Sequence, residues 1–155
     1  MLNIVFVEPE IPFNTGALVR TCGLTKSRFH LIRPLGFEMT ESKVKRAGLD
    51  YWELGEIFYY DSFIELYDKF KDKHNFFFAT TKASKLYTEV NYSDGDFIVF
   101  GKETKGLSKD ILEINPDNKI KIPMLKDYGR SLNLANSANI ILFEALRQNN
   151  FPGLE

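Results

Sequence analysis

Four short runs in this chain are predominantly apolar and do not alternate: NIVFV (Asn3 to Val7), FHLI (Phe29 to Ile32), FFFAT (Phe76 to Thr80) and FIVFG (Phe97 to Gly101). A half-exposed strand alternates apolar and polar residues. A continuous apolar run therefore wants cover on both faces, which is the situation of a parallel strand flanked by helices. KIKIP (Lys119 to Pro123) adds a fifth strand, and EIFYY (Glu56 to Tyr60) is a candidate sixth. Helical patterns lie between them. Asn14 is placed to cap TGALVRTCGLT, with Ala17, Leu18 and Cys22 on one side. Asp61 is placed to cap SFIELYDKF, where Phe63, Leu66, Tyr67 and Phe70 recur at helical spacing. Near the C-terminus, Leu134, Ala138, Ile141 and Ala145 form a stripe broadened by Ala135, Leu142 and Leu146. This alternation predicts an α/β fold, a mostly parallel sheet flanked by helices, in one domain over residues 1–155. There is no repeat, low-complexity tract or linker to divide it.

Whole-chain properties exclude more than they identify. Twenty basic residues face 21 acidic ones, a formal charge of −1. That balance neither announces nor excludes a nucleic-acid binder, because local patches decide. Cys22 is the single cysteine, so no intrachain disulfide can form, and a reducing cytoplasm is the expected compartment. His30 and His74 have no metal-site spacing, so no metal is expected. The N-terminal MLNIVFVEPEIP has no basic leader, which predicts no signal peptide. No apolar run reaches the length of about 18 residues that a membrane helix needs.

Three loops depart from this ordinary pattern. EPEIPFNTGALVRTC (Glu8 to Cys22) leaves a buried strand through Pro9 and Pro12 and enters a helix at Asn14-Thr15-Gly16, with Arg20 further along. Taken alone, these residues read as a helix cap and a surface arginine. The strand-to-helix position, however, is where α/β proteins place ligands. FGKETKGLSKD (Phe100 to Asp110) spaces Gly101 and Gly106 like a phosphate loop, but Leu107-Ser108 stands where that loop requires Lys followed by Ser or Thr. A nucleoside triphosphatase is thereby disfavoured, and what remains is a glycine-rich turn carrying one acid, Glu103. The third loop, IPMLKDYGR, runs into RSLNLANSANIILFEALRQ, where Ser131, Asn133, Asn136, Ser137 and Asn139 crowd the start of a greasy helix. One cap needs one such residue, so the others want another use. All three loops follow strands and should gather at one edge of a parallel sheet. Jointly they offer Asn14, Arg20, Glu103, Ser131 and Asn133, without a metal set or a Ser-His-Asp set.

PEIPFNTGALVRTC, FGKETKGLS and RSLNLANSANIILFEA together resemble, in order, the three motifs of the SPOUT family of RNA methyltransferases. MLNIVFVEPEIP, RAGLDYWE and TTKAS extend the resemblance to the small single-domain branch that methylates the tRNA wobble nucleotide. The departures are Ala79 for a larger aliphatic residue, Phe13 for a frequent Pro, and Lys102 and Ser108 at commoner Pro positions.

The resemblance implies a C-terminal deep trefoil knot, which residue patterns alone would not suggest because knots are nearly absent among folds. It implies S-adenosylmethionine as cofactor, surrounded by Ala79, Thr80, Gly101, Glu103, Ile122, Met124, Ser131 and Leu132, with adenine against Ile122. It implies methyl transfer to the ribose 2′-hydroxyl of position 34, a cytidine or modified uridine, in the anticodon stem-loop of a tRNA. Arg20 would be the catalytic arginine, either taking the hydroxyl proton or orienting a phosphate. Asn14, Glu103, Ser131 and Asn133 would hold Arg20 and the ribose. A homodimer is implied, packed through the apolar stripe of the last helix, with no appended RNA-binding domain. Basic clusters at Lys43, Lys45 and Arg46 and at Lys102, Lys105 and Lys109 are candidate phosphate contacts, the second being nearer the active loop. The alternative reading is a catalytically inactive knotted RNA-binding module.

Overall fold

A computed structural model describes residues 1–38 and 56–155. The basic cluster Lys43, Lys45 and Arg46 and all of RAGLDYWE lie outside the described residues. The chain order is β1 (Asn3–Val7), α1 (Pro12–Leu24), β2 (Arg28–Ile32), β3 (Ile57–Tyr60), α2 (Phe63–Phe70), β4 (Phe76–Ala79), β5 (Lys85–Leu86), β6 (Phe97–Phe100), α3 (Lys109–Leu112), β7 (Lys119–Lys121) and α4 (Leu134–Gln148). The seven strands form one sheet ordered β3-β2-β1-β6-β4-β7-β5, and each of its pairings is parallel. The expected strands are present: β1 has the expected bounds, β2 begins one residue earlier, and the others are a residue or two shorter. The two-residue β5 has no signature that apolar patterning could reveal.

The continuous runs follow from cover on both faces. Ile4 and Phe6 of β1 point into one core with Leu18, Val19 and Cys22 of α1 and Ala138, Ile141, Leu142 and Ala145 of α4. Val5 and Val7 point the other way, into a core with Phe63 and Leu66 of α2 and Leu107. Burying a Val, Leu, Ile or Phe side chain contributes about 1.5–3 kcal/mol, so these two layers supply the main driving force.

Three expectations need correction. Asn14 does not cap α1: the helix starts at Pro12, Ile11 is the N-cap, and it makes no side-chain cap bond. Proline fits the first helical position because its φ is preset and no N–H is needed there, so the start shifts three residues earlier and frees the Asn14 amide. In α2 the cap is Ser62 rather than Asp61. The Ser62 hydroxyl accepts from Glu65 N–H (3.2 Å), and Glu65 Oε2 accepts from Asp61 N–H (3.0 Å), nearly a capping box. Finally, the α4 stripe is not available for dimer packing. Ala135, Ala138, Ile141, Leu142, Ala145 and Leu146 are all buried within the protomer, because α4 lies on α1 and β6. The apolar residues that stay exposed on the outer faces of these helices are Phe13 and Leu24 on α1 and Ile140 and Phe143 on α4.

At the other end of the sheet, His30 is 2% exposed among the rings of Phe58, Tyr60 and Phe97, with Nε2 3.0 Å from Asn3 Oδ1. Burial, with Arg28 and Lys69 adding to it, pushes its pKa down to about 3. The native state therefore holds a neutral ring while the unfolded chain takes a proton near the ordinary value of about 6.5. Stability from this group is complete above that value and should fall by roughly 1.4 kcal/mol per pH unit as pH drops from about 6.5 towards 3. Urea midpoints across this range should show that slope, and His30→Gln should remove it. An equal slope in the variant would assign the acid sensitivity to other groups.

Candidate active site

The C-terminal ends of β1, β4, β6 and β7 are neighbours in the sheet, so the loops that leave them converge. They enclose a cleft of about 440 Å³, within the range of small-molecule sites. Its lining includes Asn14, Ala79, Thr80, Gly101, Glu103, Ile122, Met124, Ser131, Leu132 and Asn133. Those are all of the expected site residues but one. Arg20 is absent from the lining and stands exposed on α1.

Hydrogen bonds join the three loops. Glu103 Oε2 accepts from the N–H of Glu10 (2.7 Å), while Oε1 accepts from the N–H of Ile11 (3.0 Å) and from Asn14 Nδ2 (3.2 Å). This carboxylate does what the side chain of Ile11 cannot. It satisfies N–H groups at the entry to α1 and places a negative charge at the positive end of the helix. The same Asn14 amide accepts through Oδ1 from Asn133 Nδ2 (2.9 Å), and Asn133 Oδ1 accepts from Asn136 N–H as the N-cap of α4 (3.1 Å). One chain of bonds thus runs Glu103, Asn14, Asn133 and into α4. Asn14 is 1% exposed, so its two bonds are shielded from competing water.

A second clasp works in reverse. Glu10 Oε1 accepts from the hydroxyl (2.7 Å) and the N–H (3.0 Å) of Thr104. Those two bonds, the hydroxyl first, hold its carboxyl below the usual carboxylate range. Sequence reading overlooked Glu10, and its signal would have been an acid next to a proline in the same loop. Gly101 makes the turn possible: a Cβ there would sit 2.0 Å from the carbonyl carbon of Gly106 and 2.1 Å from Leu107 N. Gly106 closes the same turn at φ +66°, with its N–H on Lys102 O (2.9 Å).

The cleft has two characters. Ile122, Met124 and Leu132 give it an apolar side, while Lys82, Lys102, Lys105 and Lys121 put cations around it. Lys102 is 3.8 Å from Glu8. Lys109, expected in the same cluster, is not in the lining and pairs with Glu113, the C-cap of its own helix. Among the described residues no group of acids, histidines and cysteines could hold a metal ion, and no helix is long and apolar enough to cross a membrane. The polar crowd at the start of α4 now divides by position. Ser131 and Ser137 face the cleft, Asn133 caps, and Asn136 offers its N–H to that cap.

The model of the SpoU rRNA Methylase family matches residues 1–143. The chain belongs to this family. Within it, a protein of Bacillus subtilis (strain 168) is 47% identical over 99% of this chain and 97% of its own length. The tRNA (cytidine(34)-2′-O)-methyltransferase of Escherichia coli (strain K12) is 43% identical with the same coverage. A solved structure described as "Structural insights into the 2-OH methylation of C/U34 on tRNA" matches with a TM-score of 0.90 and 37% identity, over 97% of both chains. As a SpoU methylase, the protein places its motif loops at the carboxyl edge of the sheet.

Proposed function

We propose that this protein is an S-adenosylmethionine-dependent tRNA 2′-O-methyltransferase acting on the wobble nucleotide, cytidine or modified uridine, in the anticodon stem-loop. The observation that carries this reading is the cleft in which three family motifs are joined through Glu103, Asn14 and Asn133. Relatives with nearly full coverage and that activity in their names support it. The cleft suits the cofactor chemically: an apolar side for a heterocycle, a few hydroxyl and backbone groups, and lysines for a carboxylate. Ala79, Thr80, Gly101, Ile122, Met124, Ser131 and Leu132 would hold it. When bound, it supplies an electrophilic methyl group on a sulfonium.

The protein's own part is positioning. Well-oriented reactants gain about 7–11 kcal/mol over free ones. Asn14, Glu103 and Asn133 are positioning residues here, since their side-chain groups are engaged with one another and with the entries to α1 and α4. Arg20 is the catalytic residue in this proposal. Its guanidinium is a poor base, with a pKa above about 12, and it serves better by orienting a phosphate and stabilising developing alkoxide.

We further propose a cytoplasmic homodimer of this domain, with active sites near the interface and the C-terminal portion threaded as a deep trefoil knot. Phe13, Leu24, Ile140 and Phe143 replace the α4 stripe as the supporting apolar face, and Arg20 stands exposed on α1 beside it. The test is methyl incorporation into bulk tRNA followed by mapping of ribose methylation, with sedimentation of the same sample. Methylation at position 34 by a dimer is expected. Binding of tRNA without methyl transfer would favour the inactive RNA-binding module instead.

A further inference from the structure

The carboxyl ends of β2 and β3 form a second cleft, lined by Arg33, Pro34, Leu35, Phe37, Tyr59 and Asp61. None of these residues belongs to the cofactor cleft. The loop after β2 that carries Arg33, Pro34, Leu35 and Phe37 touches the loop after β1. Gly36 N–H donates to Pro9 O (2.9 Å), and a Cβ on Gly36 would stand 2.9 Å from Glu10 Cα. Glu10 is the residue whose carboxylate clasps Thr104 in the cofactor cleft. A ligand too long for the first cleft and leaving it over Pro9 and Glu10 would arrive here.

The side chains are arranged for a planar, anionic ligand. The Arg33 guanidinium lies over the Tyr59 ring, 5.1 Å from its centroid, and Nη1 donates to Asp61 Oδ1 at 3.2 Å. Both members of that ion pair are mainly exposed, 51% and 85%, and such pairs contribute little to stability. The stack has a clearer use. A guanidinium held over a ring offers a planar cation to a nucleobase and its remaining N–H groups to a phosphate. Half-buried Leu35 and Phe37 add an apolar side.

We infer that this second cleft holds a nucleotide flanking the one to be methylated, its base stacked on the Arg33–Tyr59 pair and its phosphate on Arg33. This rests on the reading of a tRNA loop as substrate. Single-stranded RNA is the occupant because it alone combines a flat base, a backbone anion and continuity with a nucleotide in the neighbouring cleft.

The experiment is steady-state methylation of tRNA over a salt series, with S-adenosylhomocysteine binding measured alongside. Arg33→Ala and Tyr59→Ala should each raise KM for tRNA about tenfold, as loss of one stacked base does. The kcat and cofactor affinity should stay near wild type. Arg33→Ala should also lower the slope of log affinity against log salt by about 0.7, one phosphate contact on a single strand. Tyr59→Phe keeps the ring and should behave as wild type. Asp61→Asn is the discriminating variant, because it frees Arg33 and removes a negative charge, so KM should fall. If Arg33 only braces the fold through Asp61, Asp61→Asn will move KM upward with Arg33→Ala, and the inference is overturned. It is equally overturned if Arg33→Ala and Tyr59→Ala leave KM and salt slope at wild-type values while the wild type methylates tRNA. A wild type that transfers no methyl to tRNA overturns the substrate reading, and this cleft assignment with it.

Discussion

Arg20→Ala should lower single-turnover methyl transfer to tRNA by about two to three orders of magnitude, the loss seen when one preorganised charge-stabilising donor is removed. Cofactor affinity should hardly change, because Arg20 does not line the cleft in which Ala79, Gly101, Ile122 and Ser131 converge. Arg20→Lys should also fail badly. Lysine keeps the charge but loses the planar fork that engages a phosphate in two places. Loss of S-adenosylhomocysteine binding in Arg20→Ala would mean that the arginine organises α1 rather than the reaction. Near-normal transfer in that variant would remove Arg20 from the mechanism altogether. The exposed position on α1 sharpens this test, since no buried packing is disturbed by the truncation.

Gly101→Ala should do the opposite, destroying cofactor binding and stability together. The added methyl would meet backbone atoms at 2.0 and 2.1 Å, and backbone cannot swing aside as a side chain can. Overpacking in well-fitted interiors costs about 1–3 kcal/mol, occasionally more, and contact with rigid backbone belongs at the upper end. The turn from 101 to 107 would have to open, carrying Glu103 away from the entry to α1. Calorimetry with S-adenosylhomocysteine should show affinity reduced at least about tenfold, an energy of about 1.4 kcal/mol, and urea unfolding should show an earlier midpoint. Gly106→Ala provides the control. Nothing lies within 4 Å of its added Cβ, and only the φ of +66° penalises it, at about 1–2 kcal/mol. Equal affinity in Gly101→Ala and wild type would show that the close approach of the two glycines is not needed for the site.

The sheet was legible because its strands are buried on both faces, and a continuous apolar run as short as FIVF suits a covered parallel strand better than a helix or an exposed edge. The convergence of the motif loops followed from parallel strands alone. What stayed hidden depends on partners distant in sequence. Glu103 looked like a lone acid in a glycine loop, whereas its partners are N–H groups 92 and 93 residues earlier. Asn14 looked like a cap because local pattern rewards that reading, yet its amide is taken by Glu103 and Asn133. The α4 stripe was correctly read as buried, but patterning cannot say whether the burying surface belongs to the same chain or another. Arg33 and Tyr59 carried no signal, since their stacking is created by pairing of β2 with β3.

The bond from Asn133 to Asn14 spans 119 positions. Synthesis runs from the N-terminus, so a ribosome will have exposed β1, α1 and most of the sheet before the residues that finish the cleft emerge. Until then the Asn14 amide lacks its second partner and the apolar side formed by Ile122, Met124 and Leu132 is missing. Binding competence is consequently acquired only after the chain through Asn133 has emerged. A prematurely released chain could be well advanced in collapse and still be unable to retain a methyl donor, so that catalysis itself certifies a finished molecule.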